Sequence, residues 1–137
     1  MWRGGNPEHL FTQIHFLGEE MNAEEMKERT KRFALSVLKF AESVPGTMEG
    51  VILAKQLIRS GTSVGANYRA ACRARSKAEF ASKLQIAQEE ADESAYWIEL
   101  LNESGIASGN QWEVLQKESN ELTAILTASL ITTRGLR

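Results

Sequence analysis

Glu89, Glu90 and Glu93 are the side chains closest to metal chemistry, because carboxylates one turn apart on a helix are what di-iron bundles present. Those sites also take a histidine at Glu-x-x-His spacing on two helices, and the only histidines here are His9 and His15. The ligand arithmetic argues against a metal centre. Paired carboxylates could hydrolyse glycosides, but that needs a cleft between elements, and no segment suggests one. Cys72 lies among Arg69, Arg73 and Arg75, cations able to depress a thiol pKa. The plainer role for a lone small residue on a helix face is packing. Gly61-x-x-x-Gly65 is a binding motif only in membranes, and in this chain it marks close helix approach. There is no Gly-rich phosphate loop and no nucleophile–base pair. The expectation is a protein that is not an enzyme and holds no metal or cofactor.

Charge is the stronger signal. From Lys27 to Lys83 there are twelve basic and four acidic residues, whereas Leu84 to Thr133 holds one basic residue and nine acidic ones. The net charge of −2 hides this dipolar arrangement. Lys27, Arg29, Lys31 and Arg32 form one basic cluster, and Arg69, Arg73, Arg75 and Lys77 form another. Two readings stand: basic and acidic helices pair with each other, or a basic end contacts nucleic-acid phosphates. Only Tyr68 among the aromatics accompanies the basic residues, so any contact is expected at the backbone rather than at bases. Arg59, Ser63 and Asn67 form an i, i+4, i+8 row. Antiparallel pairing of the second and third helices places Arg59 opposite roughly Asp92, and Ser63 near Gln88. That row is either a register-setting device or a solvated face.

These residues need long helices to position them. A chain of 137 residues with 42% hydrophobic and 25% charged residues is one globular domain. One cysteine cannot form an internal disulfide and fits a reducing compartment. No apolar run approaches the length of a membrane span, and no signal-peptide core is present, so a cytoplasmic location is expected.

Apolar residues recur at spacings of three and four from Asn22 onward. Asn22 with Glu25 forms a capping box ahead of the stripe Met26, Thr30, Phe33, Val37, Phe40, Val44, which Pro45-Gly46 ends. A second helix is expected from near Thr47 to about Ala74, through Ala54, Leu57, Gly61, Val64, Tyr68 and Ala71. Its centre, Ser60 to Ala66, is poor in helix formers, but the unbroken phase favours one continuous helix over a loop. Ser76 with Glu79 caps a third, whose stripe runs from Phe80 through Leu84, Ala87, Ala91, Ser94 and Ile98 to Leu101, before Gly105. The fourth is expected to begin after Ser108, with Gln111 three residues on, and to fray near Thr133–Arg137.

Short connections make neighbours antiparallel, which gives an all-α, up-down-up-down four-helix bundle over 22–133. In that arrangement both basic clusters fall at one end. Residues 1–21 read as a poorly ordered N-terminal extension and 134–137 as a frayed tail. Met21-Asn22-Ala23-Glu24-Glu25 resembles a natural start, and Gly18-Glu19-Glu20 can be encoded by a purine-rich ribosome-binding stretch. The tract before Met21 is then either upstream sequence or a genuine floppy arm carrying His9 and His15.

The stretches Gln56-Leu57-Ile58-Arg59-Ser60 and Ser63-Val64-Gly65-Ala66-Asn67-Tyr68-Arg69-Ala70 carry a resemblance. With Lys77-Ala78-Glu79-Phe80, Lys83–Ala87, Glu89–Glu93 and Trp97–Leu101, they resemble the bacterial four-helix-bundle family of 23S rRNA intervening-sequence proteins, over about 26–126. The resemblance implies an antiparallel four-helix bundle assembling into a ring-shaped homopentamer, with no established biochemical role. The family name reflects genes lying in inserts within ribosomal RNA genes. Accessory variability proteins of diversity-generating retroelements are similar in fold and form basic pentamers that bind a reverse transcriptase and nucleic acid; this chain departs from them in being acidic overall. The expected function is a non-enzymatic homo-oligomer that binds RNA through its basic end. The alternative is a protein adaptor using the acidic faces of helices three and four. No membrane partner is expected.

Overall fold

The Asn22 side chain accepts a hydrogen bond from Glu25 N at 2.9 Å, and this cap starts α1, Ala23–Glu42. Thr47 does the same for α2, Met48–Cys72, through Gly50 N, and Ser76 for α3, Lys77–Glu103, through Glu79 N. Each cap satisfies a backbone donor that the first helical turn leaves unpaired. The structure is a computed structural model and describes residues 15–16 and 19–135. Within it α4 is Gln111–Arg134. Asn110 occupies its N-cap position without a side-chain hydrogen bond, so the expected start after Ser108 moves two residues along the chain. Gly105 and Gly109 both take positive φ in the α3–α4 connection, and the intervening residues form a loop rather than a first helical turn.

His15–Phe16 (β1) and Glu19–Glu20 (β2) pair as a two-residue antiparallel ladder, a local pairing that the sequence pattern did not signal. The remainder of the expected extension, His9 included, and the last two residues of the expected tail lie outside the described residues. α4 runs through Thr133, which is buried and donates to Ser129 O, and closes on Gly135.

α1 packs on α2, α2 on α3 and α3 on α4, with α1 and α4 closing the bundle least tightly. This is an all-α four-helix bundle of up-down-up-down order. The expected stripes line its interior: Phe33, Tyr68, Phe80, Leu84, Ile98 and Leu101 are all fully or almost fully buried. Burying each such side chain contributes about 1.5–3 kcal/mol.

α2 is continuous through Ser60–Ala66. The glycines there cost helix propensity, but they let α1 lie against its backbone. A Cβ on Gly61 would sit 2.9 Å from Val37 Cγ2, and one on Gly65 would sit 3.1 Å from Thr30 Oγ1. Small residues serve the other seams as well. The hydroxyls of Ser60 and Ser94 lie 2.9 Å apart between α2 and α3, and buried Ser119 donates to Ala91 O at 2.6 Å between α4 and α3. Ser119 lies between Leu115 and Leu122 on the buried face of α4.

Candidate nucleic-acid interface

Four exposed cations gather where α2 ends and α3 begins, because the Cys72–Lys77 connection is too short to separate them: Arg69, Arg73, Arg75 and Lys77. Among the described residues none of the four makes an ion pair. The start of α1 lies at the same end, as the up-down order requires. A shallow groove of about 320 Å³ there is lined by Glu24, Lys27, Glu28, Arg69 and Arg73. The two sequence clusters therefore adjoin, but their charges are differently engaged.

On α1 the cations are largely matched. Lys27 Nζ bonds Glu24 at 3.0 Å, while Lys31 and Arg32 approach Glu28 at 3.8 and 3.9 Å. Arg29 turns away from the end altogether. Its Nε and Nη2 donate to the two carboxylate oxygens of Glu118 at 2.7 Å each, Nη2 reaches Glu121 at 3.1 Å, and Nη1 reaches Met21 Sδ at 3.6 Å. Hydrogen bonding to Glu118 outweighs desolvation and, with Coulomb attraction to both carboxylates, raises the Arg29 pKa above its ordinary value. Arg29 is a clasp between α1 and α4, with each of its three guanidinium nitrogens already engaged within the bundle.

A further cation joins the basic end from a position the sequence reading assigned to the tail. Arg134 of α4 and Lys77 of α3 line a cavity of about 850 Å³ with Ser76, Ser82 and Gln85, and the Arg134 guanidinium donates to the Gln85 side-chain carbonyl. The signal available was a basic residue in the last turn of a helix, where it opposes the negative end of the helix dipole. Tyr68 is only 1% exposed, so it belongs to the core and offers no stacking face beside the cations.

The polar row forms differently from its expected pairing. Arg59 Nη1 donates to Glu90 at 3.0 Å and Nη2 to Glu93, whereas Asp92 is exposed. Asp92 lies about 200° round the helix from Glu90, on the side away from α2. Ser63 donates to Arg59 O, and Asn67 to Ser63 O, within their own helix; Gln88 turns to Thr127 of α4 instead of toward Ser63. The interhelical part of the row is thus Arg59 alone. Glu93 also accepts from Trp97 Nε1 at 3.0 Å, and Trp97 meets Tyr96 edge-on with ring centroids 5.2 Å apart. Cys72 is half-buried against the core. Among the described residues no three His, Cys, Asp or Glu side chains group to hold a metal ion, and no helix is long and apolar enough to cross a membrane.

A bundle with these caps, stripes and glycine-lined α1–α2 contact has relatives. The family model described as 23S rRNA-intervening sequence protein matches residues 23–128, from the first residue of α1 into the last turns of α4. The chain belongs to that family. It is also similar to a solved protein of unknown function from the S23 ribosomal protein family of Bacteroides thetaiotaomicron VPI-5482. The identity is 33%, the match covers 79% of this chain and 96% of the other, and the TM-score is 0.72. No curated protein matches the chain.

Proposed function

We propose that this intervening-sequence family protein is a non-enzymatic homo-oligomeric scaffold that binds RNA backbone through its basic end. The observation that carries the reading is the exposed group Arg69, Arg73, Arg75 and Lys77, which the fold gathers at one end without carboxylate partners among the described residues. Lys27, Lys31 and Arg32 border the group with weaker claims, because Glu24 and Glu28 offset them. Arg29 drops out, since all its nitrogens are engaged. The name of the family supports RNA as the nucleic acid, and the ring-shaped homopentamer that the resemblance implies would multiply the basic end around a common axis. No buried aromatic can reach a base, so recognition rests on phosphates and on RNA shape.

Filter binding of single-stranded RNA at rising salt tests this reading. Four phosphate contacts make affinity fall roughly 50-fold between 50 and 200 mM salt. Replacing Arg73 and Arg75 by Glu abolishes retention while leaving the helical content unchanged. Wild-type protein that retains no RNA at low salt overturns the reading and leaves the acidic faces of α3 and α4, as a protein-adaptor surface, in its place.

A further inference from the structure

The cavity between the start of α3 and the end of α4 differs in charge from the grooves beside α1. The groove between α1 and α4 is lined by five glutamates, and the shallow groove over Arg69 and Arg73 by two. The α3–α4 cavity, about 850 Å³, has Lys77 and Ser82 of α3 on one side and Thr133 and Arg134 of α4 on the other. The small side chains of Ala78 and Ala81 leave the space between them open. Among the described residues no carboxylate lines it, and neither of its cations makes an ion pair. Arg134 is held in position. Its Nη2 donates to the side-chain carbonyl of Gln85, whose Nε2 donates in turn to Glu89 at 3.3 Å. A guanidinium has five N–H donors, so most of them are left for a ligand.

Charge and size together narrow the ligand. The start of α3 adds about half a positive charge to the two cations, and the end of α4 takes about half away, which leaves about +2. A phosphomonoester carries about −1.5 to −2 at neutral pH, whereas a phosphate within a nucleic-acid strand carries only one charge. The volume is far more than a phosphate fills and lies within the range of small organic ligands, about 300–1,000 Å³. A smaller groove of about 250 Å³ shares Gln85 and Arg134 and continues along the α3–α4 seam past Gln88, Thr127 and Ile131. Amide, hydroxyl and aliphatic side chains suit a ribose and a base better than a second phosphate.

We infer that this cavity receives the end of an RNA chain, a terminal nucleotide whose phosphomonoester is gripped between Lys77 and Arg134. The inference rests on the RNA reading above and names the part of the RNA that the basic end selects. Lys77 belongs both to the exposed group at the α2–α3 turn and to the cavity, so a strand held by Arg69, Arg73 and Arg75 has its end delivered to Arg134. The terminal nucleoside then lies along Gln85 and Gln88. A strand without a terminal phosphate leaves the two cations facing water.

Fluorescence anisotropy with the full-length protein tests this on one short RNA made with hydroxyl ends, with a 5′-phosphate or with a 3′-phosphate. A hydroxyl-ended RNA one nucleotide longer matches the added charge. One of the phosphorylated RNAs binds about tenfold more tightly than both hydroxyl-ended ones. Arg134→Gln removes a cation, and Ser82→Leu fills the cavity with every charge kept; each brings that ratio close to one. Should Arg134→Gln lose helical signal, Ser82→Leu on the exposed face of α3 carries the test. Hydroxyl-ended RNA that binds as tightly as both phosphorylated forms overturns the end site and leaves the backbone reading standing. Phosphorylated RNA retained while hydroxyl-ended RNA is not overturns the backbone reading and supports the end site. Retention of no RNA at low salt overturns both. A preference that survives folded Arg134→Gln and Ser82→Leu overturns the cavity as its source, and adenosine 5′-monophosphate binding as tightly as the phosphorylated RNA overturns the RNA end as occupant.

Discussion

The same device, an arginine gripping two glutamates of the neighbouring helix, closes two seams of this bundle, and the seams differ in what else holds them. Between α2 and α3, Arg59 meets Glu90 and Glu93 on top of a close-packed contact in which Ser60 touches Ser94. Between α1 and α4 the packing is looser, and a groove of about 830 Å³ opens beside Phe33 and Leu115, with Val114 73% exposed at its rim. Arg29 spans that groove with a side chain only 20% exposed and a two-pronged grip on Glu118. One arginine decorates a seam that small residues and apolar burial already close; the other replaces packing that is absent. An ion pair's worth therefore depends on its surroundings more than on its chemistry.

Removing Arg29 should break this contrast most visibly. Arg29→Ala leaves Glu118 and Glu121 side by side and partly buried without a cation, and about 1–3 kcal/mol of stability is lost. Urea unfolding followed by circular dichroism measures it as a lower midpoint at unchanged slope. Arg29→Lys recovers only part of the loss, because an ammonium cannot bridge both oxygens of Glu118 in the plane of the carboxylate. A lysine variant as stable as wild type would show that charge alone closes the α1–α4 seam.

The α1–α2 seam has no arginine clasp among the described residues and sharpens the comparison from the other side, since it is closed by approach. Gly61→Ala gains about 1 kcal/mol of helix propensity but drives its new methyl to 2.9 Å from Val37 Cγ2, and overpacking of that kind costs about 1–3 kcal/mol. The net expectation is a loss of about 1 kcal/mol. In the Val37→Ala background the same substitution becomes neutral or stabilising, because the obstructing methyls are gone. A double-mutant cycle in urea reads that change of sign directly.

The elements of these seams were legible in the sequence to different depths. Asn22 and Ser76 announced their helices because a cap is a local event, settled by two residues three apart. The stripes from Met26 to Phe40 and from Phe80 to Leu101 gave the buried faces, because periodicity and burial share one cause. Gly61 and Gly65 could be read as close approach once the helical phase ran through them. Partner choice was harder to read. One step along a helix turns a side chain by about 100°, so a register correct to within two residues still named Asp92 where Glu90 and Glu93 make the contact. Arg29 looked like one of four cations on a turn, and only the rotation of α1 against α4 tells it apart from Lys31 and Arg32. Asn110 begins α4 without a side-chain bond, so its start left no capping pattern to find.

Arg59 provides the smallest and most discriminating test. Its side chain is 51% exposed, and its partners sit on a seam already closed by burial, so Arg59→Ala is expected to cost less than about 1 kcal/mol. At 1 M salt the Debye length shrinks to about 3 Å, and the difference from wild type should vanish there, whereas the Arg29→Ala deficit should largely persist because the Arg29 side chain is only 20% exposed against 51% for Arg59. What Arg59→Ala removes is a brace: with Glu93 released, Trp97 loses its fixed acceptor and the edge contact with Tyr96 loosens. The tryptophan fluorescence and near-ultraviolet dichroism of Trp97 should change although the unfolding midpoint barely moves, with Trp97→Phe as the control that assigns the signal. A large fall in stability with an unchanged aromatic signal would make the two arginines equivalent and remove the distinction between a clasp and a brace.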